Sequence, residues 1–137
     1  MDLKKYLLEN NIEKQVKKLV KKCKNKKVVL YGAGEFFYII KDLCDLSGFN
    51  VVGICDLKFT TNPETNKTDY KTMVPNDLKT EDYDAIVITL YDDLIVLPHI
   101  EKAIKETKNR NKDIYPIMTP TVGYLFKKLF GKTENQL

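Results

Sequence analysis

Two glycines, Gly32 and Gly34, close an apolar run, Val28-Val29-Leu30-Tyr31, and an aspartate, Asp56, closes a second run 22 residues after Gly34. That spacing suits a phosphate-bearing ligand that also carries a ribose. The first glycine permits a tight turn after a strand. The second lets the backbone approach a pyrophosphate, which then sits at a helix N-terminus and its partial positive charge. An acid at the end of the next strand can accept hydrogen bonds from ribose hydroxyls. The third position of the GxGxxG pattern is Phe37. A phenylalanine there either moves the helix outward or enters the space a ligand would use. The competing reading is a plain glycine turn with an aspartate that caps the next loop.

In an open parallel sheet the ligand crevice lies beyond the C-terminal ends of the strands, where the strand order switches. The cofactor-binding candidates at that end are Tyr31, Gly32, Ala33, Gly34, Glu35 and Phe36 after the first strand. Asp56 after the second strand, and Thr89 and Tyr91 after a later one, join them, with Asp92 and Asp93 beside the same opening. Tyr91 is suited to stack on a base or sugar. Glu35 falls in the first turn of a helix, where the dipole favours a carboxylate, and it would meet a sugar hydroxyl or an amine rather than a phosphate.

Other chemical signals fail on context. Tyr124 and Lys128 have the spacing of a dehydrogenase proton-transfer pair, but they follow the last strand. Asp82-Tyr83-Asp84 has the form of a metal-binding DxD, but it precedes a strand and so lies at the wrong edge. His99 is the single histidine, and one histidine does not define a metal site. No nucleophile elbow is present, no metal is expected, and the catalytic residues stay unassigned. Cys23, Cys44 and Cys55 form no CxxC pair and read as small buried thiols. Cys55, beside the candidate site, is the best placed to react.

The elements that must position these residues follow from periodicity. Apolar residues at intervals of three and four mark a helical arm over 2–24, broken at Asn10-Asn11, with Lys14, Lys17, Lys18, Lys21 and Lys22 on the opposite face. Strands are expected at 28–31, 51–55, 73–74, 85–90 and 114–118. Helices are expected at 34–47 (capped by Gly48), 93–109 and 121–130. Residues 57–70 are polar and aperiodic, and read as a mobile loop. Strands alternating with helices predict an α/β, Rossmann-like, three-layer domain with a mostly parallel five-stranded sheet ordered 3-2-1-4-5. The expected division is an N-terminal helical arm over 1–25, a nucleotide-binding domain over 26–131 and a disordered tail over 132–137.

The chain has 137 residues and 43% hydrophobic residues, enough for one domain with a core. No apolar run is long enough for a membrane span, and the N-terminus lacks a signal-peptide core, so a cytoplasmic location is expected. The net charge of +4 is uneven: residues 1–27 hold ten lysines against three acids. Arg110 is the only arginine. Phosphate clamps favour the arginine fork, so nucleic acid is not expected as a partner. The N-terminal helix is the expected route to a homodimer or a partner enzyme.

The run Val28-Val-Leu-Tyr-Gly-Ala-Gly-Glu-Phe-Phe, then Val51-Val-Gly-Ile-Cys-Asp56, Tyr70-Lys71-Thr72-Met73-Val74-Pro75-Asn76-Asp77-Leu78 and Asp84-Ala-Ile-Val-Ile, resembles the CoA-binding-like Rossmann domains of bacterial polysaccharide biosynthesis. Those domains stand at the N-terminus of nucleotide-sugar dehydratases and sugar acyltransferases. The resemblance covers about residues 26–118 and is specific for the domain type rather than for an activity. It implies NAD or a nucleotide sugar held through Gly32, Gly34 and Asp56. The expected function is therefore a nucleotide or nucleotide-sugar binding accessory domain in bacterial sugar or surface-polysaccharide metabolism. The alternatives are a small NAD-dependent oxidoreductase or sugar-modifying enzyme, and a non-catalytic interaction module with a vestigial site.

Overall fold

A computed structural model of the chain describes residues 2–106 and 112–135, without the side chains of 93, 94 and 131–135. Arg110 lies outside the described residues. The element order is α1 (Leu3–Glu9), α2 (Ile12–Lys22), β1 (Lys27–Tyr31), α3 (Glu35–Leu43), β2 (Asn50–Cys55), β3 (Thr72–Met73), β4 (Ala85–Ile88), α4 (Asp93–Lys105), β5 (Asp113–Pro116) and α5 (Val122–Asn135). The five strands form one all-parallel sheet in the order β3-β2-β1-β4-β5. The order reverses between β1 and β4, which puts the crevice of an open α/β sheet beyond the ends of those strands.

Alternation along the strands divides the core in two. Val28 and Leu30 of β1 and Ala85 and Val87 of β4 point to the face covered by α1, α2 and α3. Val29, Tyr31, Ile86 and Ile88 point to the other, with Ile100, Ala103 and Ile104 of α4 and Met73, Leu78 and Tyr83. Strands buried on both faces read as continuous apolar runs, which is why β1 and β4 were the clearest in the sequence.

The N-terminal arm does not stand apart. Leu7, Ile12, Val16, Leu19 and Cys23 are buried in the same core as Phe37 and Ile40 of α3. The apolar stripe of the arm is therefore packed inside the chain, and its lysine face is exposed. The break at Asn10-Asn11 is a sharp corner, with Asn11 in the left-handed region at φ 55°. Asn10 is fully buried. Its amide donates to the Tyr6 carbonyl at 2.8 Å and its oxygen accepts from the Thr121 N–H at 2.8 Å. Gln15 adds donated bonds to the carbonyls of Asn10 and Thr119 and accepts the Thr119 N–H. The corner is thus clasped to the segment between β5 and α5.

Several boundaries differ from expectation. α3 stops at Leu43, because Cys44 turns extended and the Asp45 carboxylate accepts the Ser47 N–H at 2.9 Å, the local bond by which Asp competes with a helix. Gly48 is consequently not the helix cap. A Cβ there would meet Val20 Cγ1 at 2.6 Å, so the glycine admits α2. Residues 57–70 are organised rather than featureless. They hold short 3₁₀ turns at Leu57–Thr60 and Pro63–Thr65, anchored by buried Phe59. Asn66 donates to the Tyr70 carbonyl and the Thr72 hydroxyl and accepts from Thr68. α5 continues to Asn135, into the stretch expected to be a disordered tail, and residues 136–137 lie outside the described ones.

Candidate functional site

β1 ends at Tyr31 and the chain turns through Gly32-Ala33-Gly34 into α3. Gly32 has φ +122°, and a Cβ on it would lie 2.6 Å from Leu90 Cγ and 2.8 Å from the Thr89 carbonyl oxygen. No other residue fits. Around Gly34 there is nothing within 4 Å of where a Cβ would stand. The first N–H groups of a helix have no intrahelical acceptors, and no side chain caps this end of α3. The turn therefore offers backbone donors and a helix dipole to open space.

Three side chains hold the turn from beneath. Asp56 Oδ2 accepts the Ala33 N–H at 2.8 Å, and Oδ1 accepts the Lys58 N–H at 3.0 Å. The Lys58 ammonium donates to the Ala33 carbonyl at 2.6 Å. Thr89, fully buried, donates its hydroxyl to the Gly32 carbonyl at 2.6 Å. The Gly32 N–H donates to the Cys55 carbonyl at 2.8 Å. The end of β2 and the residues just after it (Cys55, Asp56 and Lys58) and the residue after β4 (Thr89) thus all tether the same three-residue turn.

This placement sorts the candidates. Thr89 is sealed beneath the turn and holds it through Gly32. Ala33 is buried, and its N–H is already taken by Asp56. Asp56 is partly exposed and caps the Leu57–Thr60 turn, as the competing reading expects, and it also ties the glycine turn through Ala33. Phe37 is fully buried in the α3-side core with its ring against Tyr38, so it does not enter the crevice. Phe36 is buried at the start of α3 with its ring edge-on to Tyr91 at 6.0 Å. Gly34, Glu35 and Tyr91 remain open to solvent. Asp92 is exposed there too, and the side chain of Asp93 lies outside the described ones.

Tyr91 is the first of a row of edge-packed rings. It meets Tyr6 of α1 at 5.3 Å, and Tyr6 meets Tyr124 of α5 at 5.3 Å. The N- and C-terminal helices therefore converge beside the turn.

A hollow of about 340 Å³ opens next to the turn on the α4 face. Its polar margin is Tyr31, Asp56 and His99; Leu57, Pro75, Leu90, Ile95 and Val96 supply apolar wall. Burial, with Cys55 and Asp56 near, pushes the Tyr31 hydroxyl up to about 12, so it is a neutral donor at physiological pH. Burial, then the charges of Asp56 and Asp77, pushes the Cys55 thiol up as well. Cys55 is fully buried, so the reactive role is withdrawn.

Sequence reasoning missed Lys58 and the place of His99. Lys58 follows the strand-end aspartate by two residues, and that was the available signal. His99 was read only as part of a helical segment, although a position two turns into the helix after β4 faces the crevice. The rejected motifs are structural. Asp84 accepts the Lys27 N–H and Asp82 pairs with the Lys27 ammonium at the N-terminal edge of β1. Among the described residues no cluster of His, Cys, Asp and Glu could hold a metal, and no helix is long and apolar enough to cross a membrane. Comparisons with protein-family models, curated proteins and solved structures return no match.

Proposed function

We propose that this chain is a binding module for a nucleotide or nucleotide sugar, of the class that NAD and UDP-sugars represent, serving bacterial sugar or surface-polysaccharide metabolism. The observation that carries the reading is the open, uncapped turn at Gly34 beside a mostly apolar hollow. A phosphate group would accept from the first N–H groups of α3, with the Lys58 ammonium close by. A flat ring would lie among Leu57, Leu90 and Val96. Asp56 borders both halves and keeps acceptor capacity beyond its two backbone bonds, since an ionised carboxylate offers about four lone-pair sites. The residues named for this site would bind and orient the ligand.

A second reading, an interaction module with a vestigial site, draws on the internal use of Asp56 and Thr89. Thermal denaturation with millimolar NAD, NADP, UDP-glucose or CoA separates the two, because a ligand that binds only the folded state raises the melting temperature. A rise with one of these, lost in Gly34→Val, is expected. No rise with any of them leaves the vestigial reading.

A further inference from the structure

The helix α5, Val122-Gly-Tyr-Leu-Phe-Lys-Lys-Leu-Phe over its first nine residues, closes the fold, and the candidate site makes no use of its outer face. Five of the nine exposed large apolar side chains among the described residues lie on it: Val122, Leu125, Phe126, Leu129 and Phe130. They recur at intervals of three and four and so share one face. Phe126 is 62% exposed, and its ring lies 4.3 Å from that of Phe130. Tyr124, packed edge-on against Tyr6, is on the opposite side of the helix at 3.6 residues per turn. The body therefore grips α5 by its back and turns the apolar face outward.

The charges say what that face meets. Lys127 and Lys128 are exposed and fall to either side of Tyr124 around the helix. Lys18 and Lys22 of α2 line a hollow with Thr119 and Thr121, directly before α5 begins. A ridge of phenylalanine and leucine bordered by lysines is the pattern of a helix lying in the headgroup region of an anionic bilayer. We infer that α5 docks the protein on an anionic lipid surface, with Phe126 and Phe130 entering the acyl boundary and Lys127 and Lys128 meeting the lipid phosphates.

The full chain is tested by flotation with phosphatidylcholine vesicles with and without phosphatidylglycerol. Binding at least about tenfold stronger to the phosphatidylglycerol vesicles, weakened by salt, is expected. Phe126→Glu/Phe130→Glu and Lys127→Glu/Lys128→Glu should each lower it by at least about tenfold. The chain contains no tryptophan, so Phe126→Trp gives a single emission reporter that does not disturb folding. Its emission should shift to the blue on phosphatidylglycerol vesicles. An unshifted reporter, or equal binding by wild type and both double variants, overturns the proposal. So does a dimer in light scattering that Phe126→Glu/Phe130→Glu dissociates while the wild type ignores vesicles.

Discussion

Asp56 Oδ2 lies 2.8 Å from the Ala33 N–H, a bond from the end of β2 to the turn that follows β1. With the Lys58 N–H on its other oxygen at 3.0 Å, the carboxylate belongs to the architecture of the turn before any ligand arrives. A residue chosen from the sequence as a ribose acceptor is thus also the tether that shapes the glycine turn.

Asp56→Ala should consequently destabilise the ligand-free protein by about 1–3 kcal/mol, the cost of leaving donors of a charge-assisted pair unmet. Asp56→Asn keeps one acceptor oxygen and should cost less. Urea denaturation without ligand measures both. An Asp56→Ala protein as stable as wild type would mean that the tether contributes nothing and that the acid serves a ligand alone.

The Asn10 clasp predicts a loss at a site far from the glycine turn. Asn10→Ala removes the acceptor of the Thr121 N–H and the donor to the Tyr6 carbonyl in a fully buried position. A loss of about 2 kcal/mol or more is expected. Hydrogen exchange should quicken at both Tyr6–Asn10 and Thr121–Leu125. Exchange that quickens in α1 alone would show that the clasp does not couple the two ends of the chain.

Alkali should weaken the fold. The Cys55 thiol is raised by burial above its ordinary 9.0, and burial raises Tyr31 and Tyr83 from 10.0 to about 12. Each keeps its proton in the folded chain at pH values where the unfolded chain releases it. Their contribution is complete below about pH 9 and is lost as pH rises from there towards 12. Urea midpoints should be level with respect to these groups up to about pH 9 and then fall. The tyrosinate absorbance of the native chain should show a fraction titrating near 12, absent in urea. Thiol reagents should label the native protein slowly and all three cysteines after unfolding. Prompt labelling of native Cys55 would contradict its burial.

The architecture was legible because β1 and β4, covered on both faces, leave unbroken apolar runs, and because helices between strands dictate a parallel sheet. The strand order and the place of the turn follow from that. What was not legible depended on partners far apart in sequence. Nothing local says that Thr89 will donate to Gly32 or that Asp56 will accept from Ala33. Phe37 matches a motif position in the sequence, whereas its burial comes from the core it shares with β1 and the N-terminal helices. Gly48 sits where a helix cap belongs, yet its use is the approach of Val20, 28 residues earlier. His99 enters the hollow only because α4 crosses beyond β4, and a single histidine carries no spacing that would reveal it.

The two glycines of the turn should separate folding from binding. At Gly32 the backbone has φ +122°, and an added Cβ would meet both the Leu90 side chain and the fixed Thr89 carbonyl at under 3 Å. Gly32→Ala combines left-handed strain with a backbone clash and should cost about 2 kcal/mol or more. At Gly34 the backbone has φ −98°, which any residue adopts, and the Cβ position is empty. Gly34→Val should change stability by no more than about 1 kcal/mol, the difference between helix N-cap residues. It nevertheless places a side chain where a phosphate would approach the first N–H groups of α3. Melting curves of the two variants, with and without the nucleotide that stabilises the wild type, give four values. The expected pattern is a Gly32→Ala chain that melts early and a Gly34→Val chain that melts normally but no longer responds to ligand. A Gly34→Val chain with unchanged affinity would move the phosphate away from this turn and leave the hollow beside His99 as the site.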